Sequence, residues 1–349
     1  MKAGIIGAGG ISTLHAAAYR AIGVEIVAVA DIREEAFLAR RSHYPDAAFY
    51  PTAEALLADN RVDAVSVCVT NKFHAGVLQA AVRAGKHIYC EKTLSESAQT
   101  SHKIAALLDG YGKNFQIGYM KRFFPATQAA LRLLPSIGAI FSAHVRSYQG
   151  HEGVHGANLY DNDGWRPRNG GPSPTREFAD GGMLNMAGSH MIDLICLLLG
   201  RPVELYSQNW SPADYDAELA SHAMMTSPSG AVIHLDACAS PYSRSGQWKD
   251  GWDERVEING KLGRIELRYP LWNNPESNAP TLDHYDEASQ THTTHTFPRT
   301  NAFNESIKAF VANCASGTRS IPGVREGVDV DCVISACYQS AATGAKIRL

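Results

Sequence analysis

Residues 2–23 read KAGIIGAGGISTLHAAAYRAIG, and this run decides how the first third of the chain is read. KAGIIGAG (2–9) is a short apolar segment that stops on glycine, as a buried strand does. Leu14, Ala18 and Ile22 then recur at helical spacing, and Gly23 closes the helix. Between the two lies Gly7-Ala8-Gly9-Gly10-Ile11-Ser12, a G-x-G-x-x-S turn. Gly7 permits the tight bend and Gly9 lets backbone come close to an anion. The helix behind them offers unpaired N–H groups and the positive end of its dipole. Ser12 stands where a dinucleotide turn usually has its third glycine, and it is small enough to let helix and strand pack closely.

The same alternation continues outward. VEIVAVAD (24–31), VDAVSVCVT (62–70), HIYCE (87–91) and NFQIGY (114–119) read as four more strands. Helical segments separate them: REEAFLARRSHY, TAEALLAD starting at Thr52, FHAGVLQAAVRAG stopping on Gly85, and SESAQTSHKIAALLDG capped by Ser95. Strands separated by helices of this length predict right-handed β-α-β units, hence a doubly wound parallel sheet covered on both faces. The pattern changes near residue 122, which divides a dinucleotide-binding domain (1–122) from a second domain (123–349). The second part opens with a helix (125–134) and the strand FSAHVRSYQ. A loop rich in Gly, Pro, Asn and Asp (149–180) follows, then an apolar helix near 187–199. Residues 202–298 are strand-like, with a hairpin RVEING-KL-GRIEL around Asn259-Gly260. Two amphipathic helices, NESIKAFVANCASG and VREGVDVDCVISACYQSAATG, end the chain and are free to pack back toward the first domain.

Bulk properties narrow the function classes. The chain has 349 residues, 45% hydrophobic and 19% charged, as a soluble protein with a sizeable core requires. A net charge of −3 without a basic run argues against nucleic acid or a membrane as partner. AGIIGAGGI is too short and glycine-rich for a signal peptide or a membrane span. The seven cysteines are scattered with no C-x-x-C pair, which reads as reduced thiols in a cytoplasmic protein.

Asp31 ends the second strand, 24 residues past Gly7. An acid there accepts hydrogen bonds from both ribose hydroxyls of an adenosine and repels a 2′-phosphate, so NAD is favoured over NADP. Arg33 beside it softens that preference, and a plain helix cap is the structural alternative for Asp31. The third strand ends in Thr70-Asn71-Lys72-Phe73-His74 and the fourth in Tyr89-Cys90-Glu91-Lys92-Thr93-Leu94. In a doubly wound sheet ligands bind at the carboxyl ends of strands, so both tracts face the cofactor. A lysine there, beside a carboxylate, can bond a substrate hydroxyl and stabilise its developing alkoxide.

Taken together, GAGGIS, Asp31, Asn71-x-x-His74, AGKHIYCEK, GYMKRFFP (118–125), GGMLNMAGSHMIDLICLLLG (181–200) and the terminal VREGVDVDCVISACYQSAATGAKIRL resemble the glucose–fructose oxidoreductase/inositol dehydrogenase (Gfo/Idh/MocA) family nearly end to end. The resemblance implies an N-terminal Rossmann domain and a C-terminal α/β domain with a large, mainly antiparallel open sheet, which often supports homodimers or homotetramers. It implies that Lys92 orients the substrate hydroxyl and His190 acts as acid/base. Gly7, Gly9, Gly10, Ile11, Ser12, Asp31, Arg33, Thr70, Asn71, His74, Glu91, Lys92 and Met120 would line the cofactor, with Arg122 near the substrate. Three positions depart from the pattern. Thr93 replaces the proline after Glu-Lys, and Thr70 replaces the proline before Asn71. Met186 stands four before His190, where many members have Asp or Asn; Asn185 is five before it, so a bulged turn would return an amide to the site. Asp193, one turn after His190, reads as structural, orienting that histidine or bonding a backbone donor.

HEGVH (151–155) matches the H-E-x-x-H zinc pattern. Zinc binding needs a regular helix, and Gly150, Gly153 and Gly156 each cost about 1 kcal/mol there relative to alanine. No third ligand at familiar spacing is evident, so no metal is expected. In the implied fold this loop drapes over the substrate, a carbohydrate or polyol, which makes His151, His155, Trp165, Arg166 and Arg176 candidates for binding a polyol or a carboxylate, with solvated loop residues as the alternative; Asn185 is a further substrate candidate from its place before His190. SRSGQWKDGWDE (243–254) reads as a lid, a subunit contact or a surface loop, and THTTHT (291–296) as a polar edge strand. Three functions follow. The first is an NAD-dependent dehydrogenase of a secondary alcohol in a sugar, sugar derivative or cyclitol. The second is an enzyme that retains NAD and uses transient oxidation for glycoside cleavage or epimerisation. The third is a non-enzymatic NAD-bound sugar sensor.

Overall fold

The structure is a computed structural model that describes all residues except 151–180, 212–216 and 273–277. It divides into two compact units, Met1–Met120 with Ala302–Asp331, and Lys121–Asn301 with Cys332–Leu349. The division falls two residues before the expected boundary, and one C-terminal helix with the start of the next belongs to the first unit.

The first unit is built on a six-stranded parallel sheet in the order β3-β2-β1-β4-β5-β6. Its strands are β1 (Lys2–Ile6), β2 (Glu25–Ala30), β3 (Ala48–Tyr50), β4 (Ala64–Val67), β5 (His87–Cys90) and β6 (Phe115–Ile117). The helices are α1 (Gly10–Ala21), α2 (Glu34–Leu38), α3 (Ala53–Leu57), α4 (His74–Arg83), α5 (Ala98–Leu108) and, from the far end of the sequence, α8 (Ala302–Ser316). Covered on both faces, the central strands carry small and β-branched residues without alternation, and all four residues of β4 are buried. Helix α1 is an example of a face set by more than apolar spacing: its buried residues are Ser12, His15, Ala16, Ala18 and Tyr19. Ala18 and Tyr19 pack with Ile307 and Phe310 of α8, while Ala16 packs with Ile5, Val29 and Tyr44.

Two local expectations are corrected, and one strand is added to the five expected. Strand β3 has only three residues, too few to show a period, and forms because Ala48–Tyr50 pairs with Ala28–Ala30. REEAFLARRSHY holds a helix only over Glu34–Leu38, followed by a 3₁₀ turn at Arg41–His43, since Phe37 is the only residue of α2 that it buries. The cap of α5 is Ser97, whose hydroxyl accepts the Thr100 N–H at 3.2 Å, and not Ser95. Ser95 is buried, and its N–H donates to the carboxylate of Asp331 at 2.9 Å.

The second unit contains β7 (Ile140–Gln149), β8 (Glu204–Trp210), β9 (Ala220–Thr226), β10 (Val232–Ala239), β11 (Trp252–Gly260), β12 (Gly263–Tyr269), β13 (Thr281–Asp286), β14 (Thr291–Thr296) and β15 (Ile347–Arg348). Among the described residues they form one sheet in the order β14-β13-β12-β11-β7-β10-β9-β8-β15, antiparallel throughout except for β7 with β10. Ala143, Val145, Ile233, Leu235, Val256, Ile258, Ile265 and Leu267 are buried, and their sequence neighbours point to the opposite, polar face. Gly260 pairs with Gly263, so the hairpin turns on Lys261-Leu262 with Asn259 inside the ladder. Helix α6 (Pro125–Leu133) and helix α7 (Ser189–Leu199) are joined in this unit by the end of α9 (Val324–Thr343). A π turn, Leu184–Gly188, leads directly into α7. Among the described residues no helix is long and apolar enough to cross a membrane.

Candidate active site

The first unit has a crevice of about 560 Å³ at the carboxyl ends of its strands. Gly7, Gly9, Asp31, Arg33 and Thr70 line it, with Thr52, Glu54 and Phe73 on its rim. Gly7 is required twice over: its φ is +99°, and a Cβ would stand 2.7 Å from the Cys68 carbonyl oxygen. Gly9 precedes α1 with nothing within 4 Å of where its Cβ would be, which leaves open space over the helix end. That first turn has no side-chain cap and no acidic residue. The Ser12 hydroxyl turns back to donate to Gly9 O at 2.6 Å, so the serine in place of the third glycine is buried. Asp31 accepts the Ala8 N–H at 2.7 Å and the Arg33 N–H at 2.8 Å, which fixes its carboxylate beside the glycine turn. The Arg33 side chain is 73% exposed and its Nε lies 3.9 Å from Asp31. An uncapped, acid-free helix end, open space and a fixed carboxylate together suit a dinucleotide's pyrophosphate and ribose.

Behind the crevice, β4 and β5 end in a cross-linked layer. The Asn71 amide donates to the Thr93 hydroxyl at 2.9 Å, and that hydroxyl donates to Ser95 O at 3.2 Å. The two departures from proline, Thr70 and Thr93, thus flank one polar cross-link. The His74 ring is fully buried, its nitrogens 3.2 Å from Leu94 O and 3.0 Å from Val69 O. Lys92 follows β5 and is partly exposed, its N–H 3.3 Å from the Glu91 carboxylate. Glu91 in turn lies 2.7 Å from Nε2 of the fully buried His15, whose Nδ1 is 3.0 Å from Ser66 Oγ. Burial opposes a charge on His15, but the Cys68 sulfur and the Glu91 carboxylate outweigh it and push the imidazole up to about 10. Burial pushes the Cys68 thiol up as well. Met120 is buried with its N–H on Gly118 O at 3.0 Å.

In the second unit His190 is partly exposed in the first turn of α7, straight after the π turn that contains Asn185 and Met186. Asn185 is buried. Asp193 takes the Arg122 guanidinium as a bidentate pair, with Nε 2.9 Å from Oδ2 and Nη2 2.7 Å from Oδ1. This buried pair fastens the segment before α6 to α7. Arg122, expected near the substrate, is therefore engaged by α7, and its neighbour Lys121 is ion-paired with Glu254.

Among the expected cofactor residues, the crevice gathers Gly7, Gly9, Asp31, Arg33 and Thr70. Gly10, Ile11 and Ser12 sit in the first turn of α1, Asn71, His74 and Glu91 belong to the layer behind, and Lys92 and Met120 follow β5 and β6. His151, His155, Trp165, Arg166 and Arg176, with the HEGVH stretch, lie outside the described residues. Among the described residues no group of three or more His, Cys, Asp or Glu is placed to hold a metal. All seven cysteines are free thiols. Sequence reading missed His15 and Glu218, the latter a buried carboxylate beside Gly181-Gly182. The signal for His15 was its place among Ser12, Ala16 and Tyr19 at helical spacing. Glu218 carries no local signal, because it comes from a distant loop.

Two family models cover the chain. One, described as an oxidoreductase family with an NAD-binding Rossmann fold, matches residues 1–119, and one described as the C-terminal alpha/beta domain of an oxidoreductase family matches residues 136–349. The chain is 27% identical over 356 residues to D-xylose 1-dehydrogenase (NADP(+)) 2 of Haloferax volcanii, covering 100% of both. It is 32% identical over 149 residues to inositol 2-dehydrogenase of Paracoccus denitrificans, covering 41% of this chain and 44% of that one. A structure of levoglucosan dehydrogenase with NADH and levoglucosan has the same fold, with a TM-score of 0.82 at 17% identity over 100% of this chain and 99% of the other.

Proposed function

Since the chain belongs to the Gfo/Idh/MocA oxidoreductase family, we propose that it is an NAD-dependent dehydrogenase acting on a secondary alcohol of a sugar, sugar derivative or cyclitol. The observation that carries this reading is the first unit's crevice, which the glycine turn and Asp31 line together; Lys92, outside that lining, follows the end of β5. When bound, nicotinamide supplies the hydride acceptor. The Lys92 ammonium bonds the alcohol oxygen and stabilises its developing negative charge. His190 takes the hydroxyl proton and returns it in the reverse direction. The Glu91–His15 pair keeps the end of β5 rigid under Lys92.

NAD is preferred over NADP because Asp31 is held in place by two backbone donors and cannot turn away from a 2′-phosphate. The Haloferax relative is named for NADP, so this preference is a specific claim about Asp31 and not one carried by kinship. We place the protein in the cytoplasm, in keeping with its free thiols. We assign it a homodimeric or homotetrameric state through the polar face of the second unit's sheet, where Trp210, Met224 and Val232 are exposed.

The test is a screen for NAD⁺ reduction against sugars, sugar acids and inositols, followed by NADH absorbance. Reduction by a polyol, with Lys92→Met inactive and still binding NAD, supports the reading. Product formation without net NADH release points to the retained-cofactor enzyme, and tight NAD binding with no turnover to a sensor.

A further inference from the structure

The helix that carries His190 does not begin as an ordinary helix. Its π turn, Leu184–Gly188, bonds i to i+5 and so stacks residues five apart, where an α-helix stacks residues three and four apart. Asn185 is five before His190, so the π turn brings these two positions onto one face of the helix, with the Asn185 side chain packed against Gly181, where a Cβ would stand 3.0 Å from its Nδ2. Met186, four before, would hold that place in a regular helix; here it packs with Met183, Ala187, Leu219 and Ala239.

A carboxylate is built into the start of this turn. Glu218 is buried, and its Oε1 accepts the Leu184 N–H at 3.0 Å. Its backbone carbonyl accepts the Met183 N–H at 3.0 Å. The Tyr338 hydroxyl of α9 lies 2.9 Å from the same Oε1 and 2.8 Å from Gly181 O. Gly182, with φ +94°, leaves room for this arrangement, since a Cβ there would stand 2.3 Å from Glu218 Oε2. An anion at the N-terminal end of a helix satisfies orphan N–H groups and complements the dipole.

We propose that Glu218, braced by Tyr338, is a positioning residue for the reaction: it holds the π turn that sets Asn185, and not Met186, beside His190. This rests on reading His190 as the acid/base group. Without the carboxylate the segment relaxes to α-helical bonding, which turns the sequence by about one residue, roughly 100°, and exchanges the amide for the thioether.

The first test reads the turn itself and needs no turnover. A crystal structure of the full-length Glu218→Ala variant is expected to show 184–188 bonded i to i+4, and a retained π turn would overturn the proposal even if no substrate were ever found. The second test is kinetic, with the best alcohol from the reduction screen. Glu218→Ala is expected to lower kcat about 10- to 100-fold, as misplaced catalytic groups do, with NAD affinity unchanged and the pH profile of kcat/KM displaced. Glu218→Gln, which keeps the acceptor oxygen, is expected to recover most of the loss. Deleting Met186 in the Glu218→Ala background returns Asn185 to four before His190 and is expected to restore turnover in a regular helix. Wild-type kcat and pH profile in Glu218→Ala, or no recovery on deleting Met186, would refute the role. If Glu218→Ala does not fold, Tyr338→Phe carries the same expectations in weaker form, and wild-type kinetics in it would count against the proposal.

Discussion

Replacing Asp331 by Asn should flatten the pH dependence of stability. Asp331 lies in α9, buried, with the Ser95 N–H at 2.9 Å and the Ser101 hydroxyl at 2.5 Å on one carboxylate oxygen. Burial raises its carboxyl from 3.8 to about 7, against the lowering effect of those two donors. Between about pH 4 and pH 7 the folded state therefore holds a proton that the unfolded chain has already released. Over that window stability falls as pH rises, and above it the loss is complete. Three pH units at 1.4 kcal/mol each make the loss about 4 kcal/mol. The amide that Asp331→Asn introduces cannot ionise, so the variant lacks this slope. Urea unfolding of the full chain near pH 5 and near pH 8 measures it as the difference between variant and wild type, in which all other titrations cancel. The variant should gain about 2–4 kcal/mol on wild type between the two conditions. Parallel curves would show that Asp331 ionises as an exposed carboxylate does, and would refute the reasoning.

Lys92→Met should lower turnover about 100- to 10,000-fold with NAD affinity retained, measured by steady-state kinetics and calorimetry; unchanged turnover would remove Lys92 from the chemistry. Asp31→Ser should shift the NADP/NAD ratio of kcat/KM by about tenfold or more toward NADP, equivalent to about 1.4 kcal/mol; a constant ratio would show that Asp31 only shapes the loop. His15→Leu should destabilise the protein by about 3–5 kcal/mol by stranding the Glu91 carboxylate, read from urea midpoints. Because His15 is raised to about 10, its contribution is full below about pH 6.5 and fades as pH climbs through 10, so wild type and variant should converge at high pH.

The first unit was legible because its signals are local. Glycine stops, β-branched runs and helical spacing located five of the six strands, and only Ala48–Tyr50, too short for any period, escaped. The glycine turn and Asp31 were readable because adjacent elements bring them together: Ala8 bonds Asp31 across the first two strands. What the sequence could not show is long-range partnership between polar groups. Nothing near His15 names Glu91, nothing near Arg122 names Asp193, and nothing near Leu184 names Glu218. The choice of Ser97 over Ser95 as a cap has the same origin, since the Asp331 carboxylate that buries Ser95 is 236 residues away. The departure at Met186 was visible in sequence, and the segment that contains it is a π turn, Leu184–Gly188.

The most direct measurement of the central claim is the fate of the carbinol hydrogen. A polyol that reduces NAD⁺ in the screen would be labelled with deuterium at the carbon bearing the reacting hydroxyl and turned over by the wild-type enzyme, with mass spectrometry of cofactor and product. One deuterium is expected on the released reduced cofactor for each ketone formed, at a rate about 100- to 10,000-fold lower when Lys92→Met is used at the same concentration. Deuterium that stays with the product, or a Lys92→Met enzyme that transfers it as fast as wild type, would contradict the account.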